Sequence, residues 1–261
     1  MEATAGLHVE VRDRVGTVTI DRQERRNALD QSTMHAIVEA FDRFDSDPEV
    51  WVAVLTGAGD KAFCAGRDLK ERAGVDRAGE RVVHPMRGAY RNCFEAVWEC
   101  RKPTICAING DAVGGGLEIA LACDLRVAAD HARFGLPESK RGMGANYGSN
   151  LLARMVPPGV FYDWLYFGEL FDVSEAHRWG LVNRVVVGDQ LGARVDEWTR
   201  ELLRRAPLSL RRYKATMQRG RELPLPAAVR ASFSPDPYES EDRLEGIAAF
   251  VEKREPRWKG R

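Results

Sequence analysis

Two glycine-rich turns and two glutamates are the groups here whose types and spacing could do chemistry. A carbonyl that gains negative charge needs hydrogen-bond donors aimed at its oxygen, and main-chain N–H groups in glycine turns provide them without a competing side chain. One suitable turn is Ala62-Phe63-Cys64-Ala65-Gly66-Arg67-Asp68-Leu69, and the other is Gly114-Gly115-Gly116-Leu117-Glu118. The second also opens a helix, whose N-terminal dipole favours a developing oxyanion. Three adjacent glycines suit the close approach of backbone to a ligand, and they suit a tight packing turn equally well.

Glu118 falls just inside the helix that the glycines open, and Glu138 follows Phe134-Gly135-Leu136-Pro137. If both carboxylates share one pocket, repulsion and burial keep one of them protonated near neutral pH, which yields an acid and a base from one residue type. The plain alternative is a surface ion pair at Glu118 and a helix cap at Glu138, the ordinary fate of isolated glutamates.

Elements must bring these groups together. Residues 9–20 alternate apolar positions around Arg14-Val15-Gly16, the pattern of a half-buried hairpin. From Ser32, with Asp30 and Ser32 as N-cap candidates, Met34, Ile37, Val38 and Phe41 share a helical face, and the helix should end within 45–48. Residues 51–55 form a strand buried on both faces, which Thr56-Gly57-Ala58-Gly59 leaves as a turn. The charged, glycine-containing stretch 72–85 suits a mobile loop over a pocket, and 86–99 a helix. A second buried strand at 103–108 leads through Asn109-Gly110-Asp111 to the triple glycine, then to a helix over 117–123 and a strand over 124–128. Strand, glycine turn and helix recurring in this order predict stacked ββα units with their turns at one edge, although no internal sequence repeat is visible.

After Leu151 the chain turns helical, with Pro157-Pro158 as a break, Ser174 as an N-cap and a last strand over 181–187. This divides the chain into a core of 1–190 and a helical region of 191–261. Two or three amphipathic helices are expected there, and Leu244, Ile247, Ala248 and Val251 form an apolar stripe on the last, of the kind that meets another subunit. Tyr162, Trp164, Tyr166 and Phe167 cluster at helical spacing and are expected to pack in the core.

Composition narrows the classes. The 261 residues are 44% hydrophobic and 30% charged, which excludes disordered, collagen-like and coiled-coil chains. Basic and acidic residues both number 39, so no global field draws the protein to nucleic acid or an anionic membrane. The five cysteines form no CxxC pair and no Cys/His ligand spacing, against a metal site or disulfide framework and in keeping with a reducing cytoplasm. The first eight residues look like no targeting segment, and no apolar stretch approaches the roughly 18 residues of a membrane span.

An ordered set of segments carries a resemblance: Arg25-Arg26-Asn27-Ala28-Leu29, the turn at 62–69, Ala107-Ile108-Asn109-Gly110 running into Gly114-Gly115-Gly116-Leu117-Glu118, Cys123-Asp124, and Phe134-Gly135-Leu136-Pro137-Glu138. Together they resemble the crotonase (enoyl-CoA hydratase/isomerase) superfamily, and the likeness runs through 176–186 into Phe250-Val251-Glu252-Lys253-Arg254. The resemblance implies an α/β fold, the crotonase (ClpP-like) spiral of repeated ββα units with a C-terminal helical trimerisation region, assembled as a homotrimer or a dimer of trimers. It implies an oxyanion hole from the backbone N–H groups of Arg67 and Gly115, with Glu118 activating water and Glu138 supplying the proton.

Members with hydratase activity carry both glutamates, so the implied activity is addition of water to an enoyl-CoA or its reversal, with coenzyme A as part of the substrate and no cofactor. Isomerase chemistry on the same enolate, and a non-catalytic thioester- or RNA-binding protein on the same fold, remain open. Coenzyme A binding is implied for Arg22, Arg25, Ala28, Ala65, Arg67, Asp68 and Leu69, and for Lys253 reaching from a neighbouring subunit. Arg25, Lys70 and Lys253 equally suit solvated surface charges. The chain departs from family hydratases at Ala145-Asn146-Tyr147-Gly148-Ser149, where Pro-Gly-Ala-Gly-Gly is usual. Asn146 and Tyr147 add bulk and polar groups beside the implied acyl pocket, selecting a polar, branched or cyclic acyl group or merely repacking the turn.

Overall fold

The computed structural model describes residues 2–4, 6–79, 86 and 91–261; the parts of the expected loop and helix at 80–85 and 87–90 lie outside the described residues. Three antiparallel strands open the chain, β1 (Glu2–Thr4), β2 (Leu7–Arg12) and β3 (Val15–Ile20). Asp13 and Arg14 make the tight turn of the hairpin at φ 48° and 66°, with Arg12 paired to Val15. The turn therefore precedes the expected Arg14-Val15-Gly16, because β-branched Val15 disfavours the left-handed backbone that short, polar Asp13 tolerates. Helix α1 (Gln31–Ser46) is capped by Asp30, which accepts from the Thr33 N–H, and it buries Ile37, Phe41 and Phe44.

A repeating unit follows. The first strands are β4 (Val52–Gly57), β6 (Thr104–Ile108) and β8 (Leu125–Ala129); each is followed by a three-residue strand, β5 (Ala62–Cys64), β7 (Asp111–Val113) or β9 (Arg133–Gly135). Helices α2 (Leu69–Arg77) and α3 (Cys93–Glu99) complete the first unit, α4 (Gly115–Ala122) the second, and α5 (Gly148–Leu152) and α6 (Pro158–Phe167) the third. The longer strands join a seven-stranded sheet of order β1-β2-β3-β4-β6-β8-β11, parallel from β3 onward, which closes with β11 (Arg184–Val186). The short ones form a second sheet of order β10-β9-β7-β5, in which β10 (Phe171–Asp172) is antiparallel to β9. This is the crotonase spiral of ββα units.

Strand alternation explains the buried runs. Ala53, Leu55, Cys106, Ile108 and Ala128 face the main core with α1 and α4, while Val52, Val54, Ile105, Ala107 and Val127 face Leu191 and Val195 of α8 (Leu191–Leu203). No described helix is long and apolar enough to cross a membrane.

Several local expectations are corrected. The stretch at 72–77 is not a loop but part of α2, because Asp68 caps its first turn by accepting from the N–H groups of Lys70 and Glu71, and Arg67–Glu71 and Arg72–Asp76 pair one turn apart. Helix α3 begins at Cys93 rather than 86, where Asn92 and Glu95 form a reciprocal capping box. Asp172, not Ser174, caps α7 (Val173–Arg178). Of the four aromatics at 162–167 only Trp164 is buried; Tyr162, Tyr166 and Phe167 are exposed. The C-terminal region has four α-helical segments among the described residues: α8, α9 (Pro207–Ala215), α10 (Leu225–Ala228) and α11 (Glu241–Glu252). Leu244, Ile247, Phe250 and Val251 of α11 are exposed.

Candidate active site

β5 and β7 are parallel neighbours, so the turns that leave them lie side by side. Residues 65–68 are laced to the loop before α1. Ala65 N–H donates to Arg26 O at 3.0 Å, Leu29 N–H to Gly66 O at 2.7 Å, and Asp68 N–H to Leu29 O at 2.9 Å. In this parallel bridge the groups of Gly66 and Asp68 face Leu29, which leaves the Arg67 N–H pointing away from it. Gly115 begins α4, where an N–H has no intrahelical acceptor. Among the described residues neither amide donates to another protein group.

Only glycine permits this approach. Gly66 has φ +88°, and a Cβ there would sit 2.7 Å from Val113 O and 2.9 Å from Gly115 N. A Cβ on Gly115 would lie 3.6 Å from Arg67 N, so the two free donors flank one small space. A Cβ on Gly116 would stand 2.0 Å from Cys64 O, so the last glycine is required by packing. The triple glycine therefore serves both readings of its sequence, close packing at one residue and an open donor at another.

Both glutamates reach this turn. The Glu118 side chain is 7% exposed and forms no ion pair among the described residues, which removes the surface ion pair as an explanation. Its Oε1 accepts from Tyr147 N–H at 2.8 Å and Gly148 N–H at 2.7 Å. Burial raises its pKa while those two amides oppose the rise. Glu138 lies in the short 3-10 turn Pro137–Arg141, and its Oε1 is 3.0 Å from where a Cβ on Gly114 would stand. Its Oε2 is buried without a hydrogen-bond partner. Burial pushes its pKa up to about 7 against the opposition of its own N–H, and the nearby Glu118 charge adds a smaller rise that Arg141 opposes. Burial thus shifts both carboxyls upward, and the two differ in their surroundings: Glu118 has two main-chain donors that oppose the shift, whereas Glu138 keeps an oxygen with no partner.

The other sequence candidates fall into three groups. Arg22 is held inside the loop: its guanidinium meets Asp30 at 2.9 Å, Asp68 at 3.1 Å and the Ala28 carbonyl. Buried Asn27 accepts from Arg22 N–H and donates to Ala58 O and Ala62 O, tying the loop to the β4–β5 connection. The Arg67 side chain turns toward Glu71 at 3.0 Å and Met34 Sδ at 3.1 Å, so only its main chain faces the turn. Ala28 is buried and Ala65 half-buried beside this network, whereas Arg25 and Leu69 are exposed. Lys253 is exposed beyond α11 at φ 54°, and no contact among the described residues ties it to the turns.

Asn146 folds its amide back on Gly144 O at 2.9 Å, while the Tyr147 ring stacks on Phe94 with centroids 5.8 Å apart. Phe94 was not a sequence candidate. Its Cζ would lie 3.5 Å from a Cβ on Gly115, and the signal that places it is the Asn92…Glu95 capping box, which sets Phe94 in the first turn of α3. A recess of about 560 Å³ lies elsewhere, against the α8 face of the large sheet by Thr17, Val54 and Val195. It holds neither glutamate.

Known proteins resemble this chain in sequence and fold. The enoyl-CoA hydratase/isomerase family profile matches residues 10–261. The carnitinyl-CoA dehydratase of Salmonella typhimurium is 39% identical over 98% of each chain, and that of Salmonella arizonae 40% identical over 93% of this chain and 94% of the relative. The enoyl-CoA hydratase structure from Mycobacterium tuberculosis superposes with a TM-score of 0.88 at 33% identity, covering 98% of this chain and 99% of that one. The Bacillus anthracis enoyl-CoA hydratase gives 0.87 at 31%, covering 98% and 100%. The fold and paired turns define a crotonase-fold protein. The chain belongs to the enoyl-CoA hydratase/isomerase family.

Proposed function

We propose that the protein is a hydro-lyase that adds water across the double bond of a 2-enoyl-CoA thioester, or removes it from the 3-hydroxyacyl-CoA. The observation that carries this is the joint presence of two unshared amides, at Arg67 and Gly115, and two buried carboxyl groups beside them, Glu118 bonded by two main-chain donors and Glu138 with an unpartnered oxygen. The thioester oxygen accepts both amides, which stabilises the enolate formed when C3 is attacked. Glu118 takes a proton from water as its oxygen bonds to C3, and Glu138 gives its proton to C2 as the enolate collapses back to the carbonyl. Dehydration runs through the same groups in reverse.

Coenzyme A enters as part of the substrate, along the laced loops at 22–28 and 65–69. The relatives named carnitinyl-CoA dehydratase favour a short acyl chain with a polar end. Assembly is by the exposed stripe of α11, as a trimer that brings Lys253 to a neighbour's site. Incubating crotonyl-CoA in heavy-oxygen water tests the reaction: label at the C3 hydroxyl supports hydration. Double-bond migration without label would instead give isomerase chemistry, and neither outcome would remove the catalytic reading.

A further inference from the structure

Residue 67 sits where the starts of two helices meet. Asp68 caps α2 by accepting from the N–H groups of Lys70 and Glu71, and Asp30 caps α1 by accepting from Thr33 N–H. Arg22 joins the two caps, meeting Asp30 at 2.9 Å and Asp68 at 3.1 Å. A second tie runs through Glu71. Its Oε1 accepts from Gln31 N–H at 3.2 Å, one of the donors that the first turn of α1 leaves without an intrahelical partner. Its buried Oε2 lies 3.0 Å from Nη2 of Arg67. The same guanidinium donates to Gln31 Oε1 at 3.4 Å and to Met34 Sδ at 3.1 Å, so it too is anchored on the start of α1.

These contacts close a ring around the Arg67 amide. The peptide that carries this N–H is held at its other end, where Gly66 O accepts from Leu29 N–H at 2.7 Å. From Leu29 the chain runs to Gln31, from Gln31 to the Glu71 carboxylate, and from there through the guanidinium back to residue 67. Gly66, at φ +88°, is the hinge inside the ring, and a glycine restrains its own backbone least. An ordinary pair one turn apart on an exposed helix joins only its own helix. This carboxylate instead spans two helices and the residue whose amide faces the carbonyl.

We infer that Glu71 is a positioning residue of the oxyanion hole, holding the Arg67 N–H on the thioester oxygen through the Arg67 side chain and the Gln31 amide. This rests on the proposed hydro-lyase reaction and deepens it.

Glu71→Ala should lower kcat for crotonyl-CoA about tenfold, less than the factor of about 10² to 10³ for a donor lost outright, and move KM much less. A partly exposed ion pair adds little stability, so the melting temperature should stay near that of the wild type. Arg67→Ala keeps the N–H but loses the guanidinium, and should cost the same. The double variant should be no slower than either single one, whereas independent effects would multiply to about a hundredfold. Arg67→Lys keeps a cation for the one-nitrogen contact with Glu71 and should retain most of the turnover. Butyryl-CoA labelled with carbon-13 at its carbonyl reads the donors directly, because a saturated thioester cannot be hydrated. Its carbonyl resonance should move downfield on binding the wild type and less far on binding Glu71→Ala. Wild-type kcat in Glu71→Ala, or losses that multiply in the double variant, would overturn the inference. A wild-type shift undiminished in Glu71→Ala would sink it alone, whereas bound ligand with no shift in the wild type would sink the paired donors and the reaction built on them.

Discussion

Gly148 and Glu118 are packed so closely that a Cβ on Gly148 would lie 2.7 Å from Glu118 Cγ and 3.4 Å from its Oε1. The same glycine donates its N–H to that oxygen at 2.7 Å, so contact and hydrogen bond fix the carboxylate together. Gly148→Ala should therefore displace Glu118 without removing any ionisable group. Hydration turnover should fall by about 10²-fold, the usual effect of misplacing a reacting group by about 1 Å. Circular dichroism and the melting temperature report whether the fold survives. A folded variant with wild-type turnover would show that Glu118 need not be held there.

Glu138 sets a second expectation. Its carboxyl titrates at about 7, raised from 4.5 by burial and the nearby Glu118 charge. Hydration needs the protonated form, so its rate should fall as pH rises through about 7. Dehydration needs the anion and should rise through the same window. Stability follows the same sign. A folded pKa above the unfolded one contributes fully below about 4.5 and is lost as pH climbs to about 7. Glu138→Gln should therefore be more stable than wild type at about pH 8, by on the order of 2 kcal/mol after allowance for solvent screening, and so melt higher there and no higher at about pH 4. Its hydration turnover should drop by at least about 10²-fold. Equal melting at both pH values would place Glu138 in contact with water rather than in a buried site.

How legible this was from sequence depended on the length of each feature. Helix α1 and strands β4 and β6 carry full periods of apolar residues, so residues such as Ile37, Phe41 and Leu55 declare their faces. Strands β5, β7 and β9 have three residues each, too few for alternation to register, so the entire second sheet reads as turns. Helix α2 hides because its residues are mostly charged and bury nothing; only the Asp68 cap and its one-turn ion pairs mark it. The turns and both glutamates were visible as residue types. The free state of the Arg67 and Gly115 amides was not, since it depends on which neighbours take the bridge to Leu29. For Phe94 the Asn92…Glu95 capping box marks the start of its helix, but its approach to Gly115 depends on tertiary packing.

Gly66 offers a test of the paired donors. Its φ of +88° and the 2.9 Å from its would-be Cβ to Gly115 N mean that Gly66→Ala strains its own backbone and pushes the two turns apart. Removing one donor from an oxyanion site costs about 10² to 10³ in turnover, and a loss in that range is expected here. A stability loss of about 1–3 kcal/mol should accompany it. Urea unfolding and single-turnover rates separate the two effects. Retained chemistry in a variant of lowered stability would mean that the amides need not converge.

The exposed stripe of α11 leads to the last expectation. Leu244, Ile247, Phe250 and Val251 are 60%, 54%, 84% and 73% exposed, although each would be stabilised by about 1.5–3 kcal/mol on full burial. Their spacing of three, three and one places them along one side of the helix, as a continuous apolar surface rather than scattered residues. Arg254 fixes the helix end beside it through Glu245 at 2.6 Å, so the stripe is presented on a rigid element. Sedimentation should give about three times the 29.2 kDa chain mass for the wild type. Phe250→Glu should shift the protein toward a single chain, because a charge at the most exposed position of the stripe would be desolvated in any interface. If Lys253 reaches a neighbour's site, the same variant should also raise KM for the thioester, while its kcat falls less. A wild-type protein that sediments as one chain would remove both effects and leave the stripe without an assigned partner.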